Sequence, residues 1–322
     1  MADRLSSKPQ TPKRLAILGG LVSELWHDKA GFIGFLVIAL ITAMALLAPW
    51  IAPYDPAAQN VMARLQPPVW LANGDWNHIL GTDNLGRDVL SRVIWGARST
   101  LLIGASVVLI AGTIGVIVGL VAGYAGGRVD GVLMRIVDIQ VSFPGILMIL
   151  LIVSVLGPST LTMIIVLSIT NWMIYARQVR SIVMSVRQVP YVEAASVMGC
   201  RPRRIIFRHI LPNLVTPLLT LGILEFTNIV LAEAAVSFLG LGVQPPATSW
   251  GLDVASGRDY IFIAWWLITF PGLGIVLTVL SINLFANWVR VTTDPQEREK
   301  RFAYSRAARR MVRPAEDRAV VR

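Results

Sequence analysis

LLIGASVVLIAGTIGVIVGLVAGY, Leu101–Tyr124, runs for 24 residues without one charged side chain. As a helix it would be about 36 Å long, enough to cross the roughly 30 Å hydrocarbon layer of a bilayer. Only a helix or a closed barrel satisfies its own backbone polar groups there, and the run shows no period-two alternation. Gly112, Gly115, Gly119 and Gly123 recur at intervals of three or four, which puts small residues on one face and lets a second helix approach closely.

Outward from this run, five further windows are apolar enough to span: Gly31–Ile51, Leu133–Val155, Leu161–Ala176, Leu214–Leu239 and Ile261–Val289. The whole chain of 322 residues is 55% hydrophobic and only 15% charged, against about 25% charged in soluble domains. The reading is an all-α membrane protein with six transmembrane helices. Residues 1–30 form a basic tail and 31–99 the first span and a long loop. Residues 100–290 form a five-helix core, and 291–322 a second charged tail. The first apolar run is too long for a cleaved signal peptide, so it is expected to remain as a span. Pro144, Pro217 and Pro271 fall inside windows and read as kinks.

Six spans put both termini on one side. The tails and the second-to-third and fourth-to-fifth connections hold 24 of the 29 Lys and Arg, which predicts cytoplasmic termini. The net charge of +10 therefore belongs to membrane topology, and its lack of aromatic interleaving on a soluble face argues against nucleic acid. On the outer side, Ala52–Ser99 is rich in Pro and Gly, and Asp88–Trp95 has apolar residues on a helical period. A short helix lying on the outer membrane surface is expected there.

The connection at 177–213 carries the most specific pattern. In YVEAASVMGCRPRRIIFRHILPN, Tyr191–Asn213, the residues Tyr191, Ala194, Ala195 and Met198 fall on one helical face. Pro190 is a permitted starting residue, and Glu193 in the first turn complements the positive helix end. Gly199 supplies the stop. A second amphipathic stretch, Ile205–Leu211, leads to Pro212, expected as a break before the next span. The product is a short exposed helix suited to docking, without chemistry of its own.

Glu193-Ala194-Ala195, Gly199 and Leu211-Pro212, in that order, resemble the signature of permease subunits of ATP-binding-cassette importers. His209, where the general pattern has isoleucine, is similar to the H-I-L-P-N of the dipeptide/oligopeptide/nickel branch. HILGTDNLGRDVLSR from His78, SFPG from Ser142, AEAAVSFLGLGVQPP from Ala232 and PGLGIVLTV from Pro271 resemble the same branch. The likeness covers about Trp26 to Pro295. It implies a type I importer fold in a bacterial inner membrane, with the helix at Glu193 docked as a coupling helix on an ATPase. It also implies a homologous permease as heterodimer partner, two ATP-binding subunits, an extracytoplasmic substrate-binding protein, and di- or oligopeptides, nickel or another small solute as substrate.

Asp138, Glu225 and Glu233 fall inside spans, where a central charge costs about 3 kcal/mol, so each should face protein or water. Glu225 and Glu233 either line a path or make interhelical hydrogen bonds, and Asp138 is expected to pair with Arg135. No G-x-x-x-x-G-K-[ST] occurs, so ATP and Mg are expected on partner subunits and no cofactor on this chain. Cys200 is the single cysteine, and His27, His78 and His209 are scattered. With no H-E-x-x-H and no G-x-S-x-G, neither a metal site nor a catalytic nucleophile is expected. The competing readings are an ion-gradient-driven transporter using these carboxylates, which inverted repeats would favour, and a passive channel.

Overall fold

Asp28 accepts a hydrogen bond from Gly31 N–H (3.1 Å) and opens helix α1, Lys29–Leu46. The computed structural model describes residues 24–26 and 28–293, so most of both expected tails lies outside the described residues. The chain then forms α2 (Val89–Ala125), α3 (Gly127–Val141), α4 (Gly145–Leu156), α5 (Thr160–Arg187) and α6 (Pro190–Val197). It continues through α7 (Pro202–Phe238), α8 (Trp250–Gly257) and α9 (Trp266–Thr293). No strand is present among the described residues, only an isolated bridge between Thr82 and Asp88 in the long loop.

Five helices, α1, α2, α5, α7 and α9, are each long and apolar enough to cross a membrane. The expected third span is broken. Its two pieces, α3 and α4, meet at 83°, so the chain has six spans only if this bent pair counts as one. Pro144 explains the break, because it has no N–H and its ring excludes helical geometry at Phe143. Ser142 closes α3 by donating its hydroxyl to Asp138 C=O (2.8 Å).

The glycine face of α2 packs on α5. A Cβ at Gly119 would stand 2.6 Å from Ala176 O, and one at Gly123 would stand 2.8 Å from Val183 Cβ. Gly112 is looser, 3.6 Å from the Tyr175 ring. Ile103 and Val107 of α2, Val153 of α4, Leu167 of α5 and Ile229 of α7 share one buried cluster. Gly31 and Gly34 bring α1 against Trp288 and Ser281 on α9.

The expected surface-lying helix at Asp88–Trp95 is instead the protruding start of α2. Asp88 caps it by accepting from Ser91 N–H (2.8 Å), and no breaker separates it from the span. Val89, Ser91, Arg92 and Ile94 are buried within the chain rather than laid on lipid. The Trp250 indole packs over Gly96 and donates to Val93 C=O (2.9 Å), which secures the protruding turns.

Candidate functional site

Val189 is extended, Pro190 occupies the first turn of α6 and Glu193 lies in that turn, as the sequence predicts. At the other end Gly199 has φ +77°, a conformation nearly free only for glycine. Gly199 N–H bonds to Ser196 C=O (3.0 Å) and Cys200 N–H to Ala195 C=O (3.1 Å), a Schellman closure that satisfies the last carbonyls.

The helix turns one face inward. Val192 and Ala195 are 2% and 4% exposed, whereas Val197 and Met198 are 88% and 76% exposed. The expected apolar face is therefore split. Tyr191, Ala194 and Met198 point outward beside Glu193, while Ala195 packs within the chain. Val192 joins Val179 and Val183 of α5 and Ile205, Ile210 and Leu214 of α7 in one buried cluster, with Leu211 and Cys200 partly buried against it. A displacement of α6 thus bears directly on two spans.

The expected break at Pro212 does not occur. Pro202 to Phe238 is continuously helical, with a π turn at Ile206–Ile210 where Leu211 N–H reaches back to Ile206 C=O. That wider turn lets a proline enter the helix without opening it, since its missing N–H and its ring disturb only the preceding turn. Pro212 itself is exposed. Asn213 Nδ2 donates to Tyr191 Oη (3.1 Å) and to His209 C=O (2.6 Å), and the Tyr191 and His209 rings lie 5.9 Å apart. The H-I-L-P-N segment therefore holds α6 to the start of α7.

Beside α6 lies an open cleft of about 650 Å³ lined by Tyr124, Asp130, Arg187, Gln188, Glu193 and Ser196, among others. Arg180 holds Asp130 through two nitrogens, one at 2.6 Å, and Arg187 donates to Tyr124 C=O (3.0 Å). Glu193 makes no ion pair among the described residues.

The three membrane carboxylates do not form one site. Asp138 pairs with Arg177 of α5 (2.7 Å), not with Arg135 as expected. Helix α5 extends past the expected window through Arg187, so Arg177 and Arg180 stand on a helix facing α3 rather than in a loop. Glu233 is buried and accepts from Ser237 and Ser249 (both 2.8 Å). Ser249 caps α8. Glu233 therefore ties α7 to the start of α8 through one oxygen, while its other oxygen is buried without a partner among the described residues. Glu225, about 12 Å along the helix, takes a long bond from Asn228 (3.4 Å). Its other oxygen and the Tyr175 hydroxyl are buried without a partner in the described structure.

A second constellation was missed in the sequence. Arg92 donates through Nε to Asp253 (2.9 Å) and through Nη1 to Pro56 C=O (3.2 Å), tying α2, α8 and the long loop. Arg87 pairs with Asp83 (2.6 Å) and His78 with Asp88 (3.0 Å). Burial pushes the Asp253 carboxyl up, against the opposing pull of Arg92. The only available signal was that His78–Arg92 packs five ionisable residues, His78, Asp83, Arg87, Asp88 and Arg92, into a stretch with apolar periodicity. Nothing in that stretch names Asp253, which is 161 residues away from Arg92.

Residues 115–299 match the family described as "Binding-protein-dependent transport system inner membrane component", and residues 15–68 match the "N-terminal TM domain of oligopeptide transport permease C". The chain is 43% identical over 279 residues to the di/tripeptide transport system permease protein DppC of Pseudomonas aeruginosa, covering 85% of this chain and 92% of that one. It is 41% identical over 279 residues to the dipeptide transport system permease protein DppC of Escherichia coli K12, covering 85% and 93%. To the probable D,D-dipeptide transport system permease protein DdpC of the same strain it is 38% identical over 260 residues, covering 81% and 85%.

Proposed function

The chain belongs to the family of inner membrane components of binding-protein-dependent transport systems, and from that premise we propose that it moves di- or oligopeptides under the power of a separate ATPase. The peptide substrate is supported by the names of the relatives described above, each a peptide, dipeptide or D,D-dipeptide permease. Its partners are a homologous permease forming a heterodimer, two ATP-binding subunits and an extracytoplasmic binding protein.

The observation that carries the mechanism is the two-sidedness of α6. Its outer face exposes Glu193, Ala194, Val197 and Met198, while Val192 on its inner face packs into α5 and α7 and Ala195 is buried. Closure of the ATPase pair would shift α6, and the buried cluster would pass that shift to the spans. Gly199 ends the helix, and Leu211 of α7 is partly buried against the cluster that holds α6. Coupling demands a rigid lever more than a reactive group, and the chain acts as a non-catalytic subunit. That 24 of the 29 Lys and Arg lie in the tails and in the second-to-third and fourth-to-fifth connections supports cytoplasmic termini.

Uptake of labelled dipeptide by vesicles holding the assembled importer tests this reading. ATP-dependent uptake should survive an uncoupler and disappear without the ATPase subunits. Uptake by this chain alone, or loss of uptake with the uncoupler, would reject it.

A further inference from the structure

The sequence places the sixth span from Ile261, but α9 begins at Trp266. The displaced apolar residues form a turn, Tyr260–Ala264, closed by bonds from Ile263 N–H (3.0 Å) and Ala264 N–H (2.7 Å) to Tyr260 C=O. Phe262 at its tip is 99% exposed and Ile263 67% exposed. The turn stands on a fixed base. Ala264, Trp266 and Leu267 are buried with Val89 of α2, and Trp266 donates to Thr82 C=O (3.2 Å). An exposed apolar tip on a rigid support has few ways to hide its own surface.

Continuity decides what covers it. Trp265, Thr269, Leu273, Val276 and Leu280 lie at helical spacing, and all are exposed. They make one stripe that is apolar except for the Thr269 hydroxyl, itself bonded to Trp265 C=O (2.9 Å), and that runs from the turn down a membrane-spanning helix. Trp70 of the long loop reaches Phe270 (6.1 Å between ring centres), and Trp265 lies at the same distance from Phe270. Such a ring of Trp and Phe at the mouth of a span matches the headgroup level of a bilayer. The polar rim is also present, because the exposed Arg258–Asp259 pair (3.3 Å) immediately precedes the turn.

We propose that the Tyr260–Trp265 turn is a membrane wedge, with Phe262 and Ile263 seated among lipid headgroups and upper acyl chains of the leaflet on the long-loop side. Seated there, it fixes the depth of α9. Through Trp266 and Thr82 it also fixes the depth of the long loop.

The test uses the full chain in lipid nanodiscs with Cys200→Ser and one new cysteine carrying an environment-sensitive fluorophore. Phe262→Cys is compared with Met62→Cys, an exposed position of the long loop outside the proposed wedge. Ile263→Cys serves as a second reporter should the first variant misfold. The wedge predicts blue-shifted emission at residue 262, quenching by lipids spin-labelled near the headgroup and protection from iodide. Residue 62 should show the reverse. Iodide quenching at residues 262 and 263 without lipid quenching would overturn the proposal. So would protection that appears only after the binding protein or the partner permease is added, since the turn would then be a protein interface.

Discussion

Asn213 Nδ2 stands 3.1 Å from Tyr191 Oη, so a side chain at the head of a span holds the first turn of the exposed helix α6. The same amide binds His209 C=O across the π turn. One residue thus joins α6 to the membrane-spanning helix α7.

Replacing Tyr191 with Phe removes the acceptor but keeps the ring. A net loss of about 1 kcal/mol, or about fivefold in the population of the joined state, is expected. In the assembled importer, peptide uptake should fall by a few-fold while ATPase co-purification stays unchanged. Parallel measurement of uptake and ATP hydrolysis checks this; an equal loss of ATPase binding would place Tyr191 in the docking surface instead.

Glu193→Lys reverses an exposed charge without touching the buried face. ATPase association should weaken by about 2 kcal/mol, roughly thirtyfold, and uptake should follow, with the amount of chain in the membrane unchanged. Pull-down titration of the ATPase against membranes bearing the variant reads the effect. Unaltered binding would remove Glu193 from the interface.

The α2–α5 seam sorts its glycines by distance. Gly119→Val forces atoms into Ala176 O and Val179 and should cost about 1–3 kcal/mol. Gly112→Ala, facing the Tyr175 ring at 3.6 Å, should cost little. Thermal unfolding in detergent should show a lower midpoint for the first and a near-native midpoint for the second.

Breaking the buried Arg92–Asp253 pair by either Arg92→Ala or Asp253→Ala should destabilise by about 3–5 kcal/mol, because an unpaired charge is left inside. The double variant Arg92→Met with Asp253→Leu should recover part of that loss. Proteolysis of the long loop provides the readout. Additive single effects would show that the two charges are not coupled.

Asp138→Asn offers the contrast. Its pair with Arg177 is exposed on both sides, so the expected change is below about 1 kcal/mol. A large loss of uptake with normal stability would assign Asp138 a part in transport.

Much of the local structure of α6 was legible. Pro190, Glu193 and Gly199 act through local backbone rules, and a helix of eight residues leaves them little freedom. Which face turned inward was not legible, because Val192 and Val197 are chemically alike and only contact with Val179 and Ile205 separates them. The partner of Asp138 escaped for the same reason. Arg135 and Arg177 both carry the needed charge, and the choice rests on how α3 lies against α5.

By itself the sequence determined that the chain is helical, membrane-spanning and glycine-seamed, since apolar length and small-residue spacing leave no other way to satisfy the backbone in lipid. It also determined where helix α6 starts and stops. The tertiary structure alone decided that the third span bends at Pro144 while Pro212 enters a helix unbroken. It also decided that Arg92 finds Asp253 and that Glu233 holds the cap of α8. Those outcomes depend on neighbours far away in the chain, and a proline or a buried charge adopts whichever arrangement those neighbours can satisfy.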